Sequence, residues 1–281
     1  ASGPNHQEFP DPVFKSSPLF YINSKGRYTV PQPDEWDDFV PLEMITTLSA
    51  AKLVSFAGVR SSEKILDVGA GTGVVAITAA RAGTYVSALD LNQSLCRRMQ
   101  QNVKLSDVTV EIVTENALAI PYPDHHFDVV LSQFGHMFAP DPGQVTHEML
   151  RVLRPGGRIV FSTWPPQHYV GKLFDLVEKY LPKSAEHTLS AWGNPSYIQE
   201  MFGNRVEPFT FKEEVMLFPA LSLGHYRHRV ETSLAPVKAL LQHASPEEIN
   251  AFRSSLETLA GAYYGYNHIH QTYLMAKAVK R

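Results

Sequence analysis

Three glycines at alternate positions, with two carboxylates around them, are the residues of this chain best suited to hold a ligand. Gly69, Gly71 and Gly73 follow Lys64-Ile65-Leu66-Asp67-Val68 and precede Val74-Val75-Ala76-Ile77-Thr78-Ala79-Ala80-Arg81. Lacking Cβ atoms, they let the backbone turn sharply and approach a bound molecule, and the N–H groups opening the next helix face the same place. Asp90 stands seventeen residues after Gly73 and closes Tyr85-Val86-Ser87-Ala88-Leu89-Asp90. An α/β nucleotide site keeps the acid that binds ribose hydroxyls at this spacing. Glycine turn plus acid also suits a nicotinamide dinucleotide. Asp67 separates the two cases: a dinucleotide site needs no charge two residues before the first glycine, whereas a carboxylate there suits a ligand with a cationic amino-acid end.

These residues need a strand before the loop and a helix after it. Ile65, Leu66 and Val68 form a short β-branched run of the kind buried in a parallel sheet, and Val74 to Arg81 reads as an Ala-rich helix. From Ser61 to Trp164 apolar strands alternate with helices, which predicts a parallel sheet with right-handed crossovers and ligands at the strands' carboxyl ends. The predicted strands after Asp90 cover Thr109 to Val113, Phe127 to Ser132, Arg158 to Thr163, Phe209 to Phe218 and Thr272 to Val279. A helix from Pro41 to Phe56, with Leu42, Ile45, Leu48, Leu53 and Phe56 as its apolar face, is expected before the first strand. Two helices, His225 to Gln242 and Pro246 to Tyr264, form an insertion rich in Tyr226, Tyr263, Tyr264 and Tyr266. Prolines and aromatics crowd the first 33 residues or so, so this arm is expected to pack on the core or cover the ligand mouth, with Tyr28 and Trp36 near the ligand.

Composition sets bounds. The chain has 281 residues, 44% hydrophobic and 19% charged, enough to bury a full core. A formal charge of −3 gives no general attraction for nucleic acid or anionic lipid. The single cysteine, Cys96, cannot form an internal disulfide, and no leader or long apolar run is evident, so a cytoplasmic protein without stable membrane insertion is expected. His125-His126, His225-x-x-His228 and His268-x-His270 lack zinc-type spacing, and no metal is expected.

Five signals in this order resemble the class I S-adenosylmethionine-dependent methyltransferases: Asp67-Val68-Gly69-Ala70-Gly71-Thr72-Gly73; Asp90; Asn116-Ala117-Leu118-Ala119-Ile120-Pro121-Tyr122; Phe127-Asp128-Val129-Val130-Leu131-Ser132; and Leu153-Arg154-Pro155-Gly156-Gly157-Arg158. Met137-Phe138-Ala139-Pro140-Asp141, Ser162-Thr163-Trp164, Gly171-Lys172-Leu173-Phe174 and Trp192-Gly193-Asn194-Pro195 narrow the resemblance to the type 11 domain related to ubiquinone and menaquinone C-methyltransferases. The resemblance implies an α/β fold with a Rossmann-like, seven-stranded, mostly parallel sheet whose last strand is antiparallel, plus an N-terminal arm and a helical cap insertion. The expected division is 1–60 for the arm and leading helix, 61–220 for the cofactor-binding core, 221–266 for the cap and 267–281 for the final core strand.

It also implies S-adenosylmethionine as cofactor, S-adenosylhomocysteine as product, and a small aromatic or apolar acceptor methylated on O, N or C. Expected cofactor residues are Asp67, Gly69, Ala70, Gly71, Gly73, Asp90, Leu91, Asn116, Ala117, Gln133 and Phe134. Asn116 stands where the family usually has an aspartate that accepts from adenine, and an amide oxygen can accept the same bond. Tyr28, Trp36 and Met137 are expected at the acceptor. His136, at a position where the family usually has an apolar residue, and then His168 are the expected proton acceptors. The alternatives are a catalytically silent S-adenosylmethionine or metabolite sensor and an NAD-dependent oxidoreductase. The oligomeric state is left open, a homodimer included.

Overall fold

The computed structural model describes residues 42–180 and 189–281, together with a backbone pairing of Tyr21–Ile22 with Tyr28–Thr29. Strands β1 (Lys64–Val68), β2 (Tyr85–Asp90), β3 (Glu111–Thr114), β4 (Phe127–Gln133), β5 (Leu153–Thr163), β6 (Thr210–Pro219) and β7 (His268–Val279) form one sheet in the order β3-β2-β1-β4-β5-β7-β6. β1 to β5 pair in parallel, while β7 runs antiparallel to both β5 and β6. The expected Rossmann-like sheet with an antiparallel last strand is therefore present. A two-residue strand, Tyr264–Gly265, folds back on β7 through Tyr266 and Asn267, both at positive φ, as a tight hairpin turn requires.

The strand chemistry follows position. Central β4 buries Phe127, Val129, Val130, Leu131 and Ser132 almost without alternation, as a strand covered on both faces must. Edge strand β6 carries Lys212, Glu213 and Glu214 in its exposed half, where charge discourages pairing with another chain. Glu214 also binds Lys52 of α1 (Glu43–Ala57). Within β5 the pairing with β4 shifts across Gly156, at φ 75°: Leu153 pairs with Phe127 and Arg158 with Val129, leaving the intervening residues out of register.

The helices are α2 (Val74–Ala80), α3 (Gln93–Leu105), α4 (Pro142–Val152), α5 (Tyr169–Glu178), α6 (Pro195–Phe202), α7 (Leu223–Ser233), α8 (Ala235–His243) and α9 (Pro246–Gly261). Side chains close their open N–H groups: Asn92 caps α3, Asp141 caps α4, Ser222 caps α7, and Ser245 with Glu248 makes a capping box on α9.

Two expectations need correction. The single helix predicted from His225 to Gln242 is two helices, because Pro236 can occupy the first turn of α8 but not the interior of a continuous helix. On α1 the predicted apolar face holds except at Leu48: Leu53 is buried, and Leu42, Ile45 and Phe56 pack partly buried against the core. Ser49, Ala50, Leu53, Val54 and Ala57 are buried, whereas Leu48 is 76% exposed. α1 packs on both α2 and the sheet, and small residues permit that approach.

The sheet brings two glycines into backbone contact at the carboxyl ends of β1 and β4. A Cβ on Gly135 would lie 2.6 Å from the Gly69 oxygen and 2.8 Å from its Cα. Gly135 itself has ordinary helical φ and ψ, so only this closeness excludes a side chain. Gly135→Ala is accordingly expected to lower the unfolding free energy by about 1–3 kcal/mol. Urea denaturation checks this, and unaltered stability would show that the contact is loose.

Candidate functional site

The carboxyl ends of β1, β2 and β4 open into a cavity of about 310 Å³, within the ~300–1,000 Å³ range of small-molecule sites. α1, α5, α7 and α8 complete its walls. Of the expected cofactor residues, Asp67, Gly69, Ala70, Gly71, Asp90, Leu91, Asn116, Ala117, Gln133 and Phe134 all line it. Gly73 does not: a Cβ there would strike the Met99 side chain at 2.5 Å, so this glycine lets α3 approach the loop.

Asp67 is the electrostatic centre of the wall. It is 1% exposed, and its Oδ2 accepts the Ala76 N–H of α2 at 3.0 Å. Oδ1 has no partner among the described residues. Burial pushes the carboxyl up to about 7; the Ala76 N–H opposes this and the Asp90 charge adds to it. A pyrophosphate would meet this acid, which already takes a helix N–H. A cationic ammonium would satisfy the orphaned oxygen.

Asp90 joins the glycine loop to β2. Its Oδ2 accepts from Gly71 N–H at 2.7 Å and Oδ1 from Asn92 N–H at 2.9 Å, leaving further lone pairs for ligand hydroxyls. Burial raises its pKa, opposed by the Asn92, Gly71 and Leu91 N–H groups. Gly71 has φ 57°, and a Cβ there would meet nothing within 4 Å. A side chain at this position would stand in the cavity rather than against protein, so the glycine leaves room for a ligand. Asn116 turns its Oδ1 to the Leu118 N–H at 2.9 Å, so its first task is to hold the β3 turn.

α1 enters the cavity through Leu42, Glu43, Ile45 and Thr46, none of which the sequence marked as ligand-facing. Gln133 fastens it by donating to Thr46 O at 3.1 Å and Ser49 Oγ at 2.6 Å. Glu43 accepts from Asn102 Nδ2 at 2.8 Å, and the same amide donates to Thr72 O of the glycine loop at 3.0 Å. Phe134, at φ 63°, stacks on Trp164 with ring centroids 4.2 Å apart, making an aromatic floor.

His136 lines the cavity wall but is 1% exposed, between the rings of Phe161 and Trp192. Ser132 gives its only hydroxyl proton to Val68 O at 2.7 Å, so the 3.2 Å contact requires His136 Nδ1–H to donate to Ser132 Oγ. Nε2 then carries a buried lone pair without a partner. Burial pushes this ring down to about 3, which makes it a poor proton acceptor at neutral pH. The geometry thus argues for a packing and positioning residue where the sequence suggested a base.

His168 is not in the cavity wall. It precedes α5, with Nε2 3.4 Å from Glu213 Oε1. Met137 is 2% exposed and faces the core instead of the cavity. Trp36 lies outside the described residues, and for Tyr28 the described structure holds only the backbone pairing with Ile22. Among the aromatics of the helical insertion, Tyr226 lines the cavity and Tyr266 is 97% exposed. Trp164, Phe174, Glu178, Phe218, Arg229 and Gln271 also face it and went unassigned in the sequence. Only the i, i+3, i+4 spacing on α7 could have suggested Arg229.

A seven-stranded sheet in this order, with a glycine loop after β1 and an acid at the end of β2, defines a Rossmann-like nucleotide-binding architecture. Residues 66–161 match the family model of a methyltransferase domain. The chain is 39% identical over 157 residues to an uncharacterized protein of Mycobacterium tuberculosis (strain ATCC 25618 / H37Rv), covering 55% of this chain and 57% of that one. It is 30% identical over 168 residues to the ubiquinone/menaquinone biosynthesis C-methyltransferase of Shewanella halifaxensis, covering 57% of this chain and 67% of that enzyme. In fold it is similar to the YcgJ protein of Bacillus subtilis, with TM-score 0.57 and 20% identity over 83% of this chain and 98% of that one. The chain belongs to the class I S-adenosylmethionine-dependent methyltransferases. It spans just over half the length of the mycobacterial relative.

Two outcomes follow from these geometries. If Asp67 must ionise to receive an ammonium, S-adenosylhomocysteine affinity should rise with pH to about 7 and then level. Below that point it should fall by about tenfold per pH unit, one proton being released on binding. Calorimetry from pH 5.5 to 8.5 checks this, with Asp67→Asn expected to bind at least about tenfold more weakly and to lose the step. His136→Ala should lower the unfolding free energy by about 2–4 kcal/mol by emptying a packed site. Chemical denaturation measures that loss. In a pH–rate profile, an inflection moved by this substitution would restore His136 as a proton carrier.

Proposed function

We propose that this protein transfers a methyl group from S-adenosylmethionine to an O, N or C atom of a small, aromatic or apolar acceptor. The observation that carries the reading is the unpartnered Asp67 Oδ1, in the wall of a cavity that Gly71 also lines and leaves open. The group's donors and acceptors fit these residues. Asp67 would hold the ammonium of the amino-acid portion, Asp90 the ribose hydroxyls, and Asn116 with Ala117 the adenine edge. Leu91, Ala70, Gln133 and Phe134 would supply the surrounding wall.

When bound, S-adenosylmethionine supplies an electrophilic methyl on a sulfonium. The chain's part is to orient the acceptor and exclude water. Trp164, Val170, Leu173, Phe174, Phe218 and Val230 give the acceptor side an apolar lining suited to both tasks. With His136 held neutral by burial and His168 outside the wall, proton removal has no histidine to perform it among the described cavity residues. An acceptor that already loses its proton readily, such as a phenol or a quinol-like carbon acid, suits that arrangement. The match to the Shewanella enzyme supports placing the protein near the quinone C-methyltransferase branch. Within this reading, residues 221–266 act as a cap on the 61–220 core. A cytoplasmic setting, which would keep buried Cys96 reduced, belongs to the same proposal. No helix among the described residues is long and apolar enough to cross a membrane.

S-adenosylmethionine and S-adenosylhomocysteine are each expected to raise the melting temperature, with NAD giving no shift. Asp90→Ala should weaken both by at least about tenfold. Methyl-labelled S-adenosylmethionine offered with phenols, quinols and amines then reads turnover. Stabilisation by NAD alone would overturn the cofactor reading, and binding without transfer to any acceptor class would leave a sensor.

A further inference from the structure

The wall formed by α7 carries a charge, Arg229, that is not among the expected cofactor residues. This helix presents two unlike stripes. Arg227 and Glu231 belong to one: Arg227 Nη1 lies 2.5 Å from Glu257 Oε1 of α9, and Arg253 Nε lies 2.7 Å from Glu231 Oε1. Those charges are consumed in joining α7 to α9. Tyr226, Arg229, Val230 and Ser233, at i, i+3, i+4 and i+7, form the other stripe and line the cavity.

Arg229 is half-buried and lies over the ring of Phe218, with Cζ 5.4 Å from the centroid. Phe218 also lines the cavity and is itself held edge-on by Tyr226. Among the described residues no carboxylate pairs with Arg229, in contrast to Arg227 on the same helix. Ser233, one turn further along, has no hydrogen-bond partner for its side chain among the described residues. Glu178 of α5 also lines the cavity. It makes no ion pair with Arg229 among the described residues, and burial together with the charge of Asp175 raises its pKa, opposed by the Leu189 N–H. A planar cation fixed against an aromatic ring in an apolar cavity is prepared for a carboxylate, which it can meet with two parallel N–H bonds.

We propose that Arg229, assisted by Ser233, determines acceptor specificity by anchoring a carboxylate on an otherwise flat, apolar molecule. This rests on the methyltransferase reading, since it takes the α7 side of the cavity to be the acceptor side. The apolar body would lie among Trp164, Phe174 and Val230, and the carboxylate would replace water on the guanidinium. Arg229 acts here in binding and orientation and takes no part in bond making.

Benzoate, 2-naphthoate and decanoate, each paired with its neutral primary amide, are suitable probes. Their binding is measured by calorimetry to the full chain, with and without saturating S-adenosylhomocysteine. At least one carboxylate is expected to bind about tenfold or more tightly than its amide. Arg229→Gln should bring that ratio close to one and leave S-adenosylhomocysteine affinity unchanged, while Arg229→Lys should retain part of the preference. No preferred carboxylate in the series, or a preference that survives in Arg229→Gln, overturns the inference. Failure of the unaltered chain to bind S-adenosylhomocysteine strikes instead at the methyltransferase reading. The probe preference measured without that ligand then still decides whether Arg229 is an anion anchor.

Discussion

A buried carboxylate with only one of its oxygens satisfied is the constraint on which the cavity depends. Asp67 ends up there because it stands at the carboxyl end of β1, where the first turn of α2 offers it the Ala76 N–H. Burying an unpaired charge is costly, so the free protein holds the group near the point of protonation. A cationic ligand would remove that cost by supplying the missing partner. The glycine loop contributes to the same cavity, since Gly71 gives its N–H to Asp90 and carries no side chain into the space that Asp67 also lines.

The remaining walls are tied to this centre rather than independently placed. Gln133 holds α1 to the end of β4, and Asn102 bridges Glu43 of α1 to Thr72 of the loop. Ser132 links β4 to Val68 while receiving His136 Nδ1–H. A change at any of these joints is therefore transmitted to the loop. The α7 side is built differently: ion pairs between α7 and α9 hold one stripe of α7, while Arg229 on another stripe lines the cavity.

What was legible in the sequence is what short-range chemistry dictates. The β1 loop, Asp90 at the end of β2 and the order of the strands follow from apolar runs, glycine spacing and a recurring motif set, and the structure brings all but Gly73 of the expected cofactor residues to one cavity. The histidines were less legible because their meaning depends on what packs against them. His136 looks like a base until Phe161 and Trp192 enclose it, and His168 looks near the reaction until α5 carries it to Glu213. The break at Pro236 was visible as a proline, but the apolar periodicity across it masked the boundary. Glu178 and Arg229 carried no motif, and only tertiary packing turns them toward the same space.

In a crystal structure of the chain with S-adenosylhomocysteine, the ligand's amino group is expected within hydrogen-bond distance of Asp67 Oδ1 and its ribose hydroxyls on Asp90. An amino group directed elsewhere, with Asp67 still unpartnered, would contradict that placement.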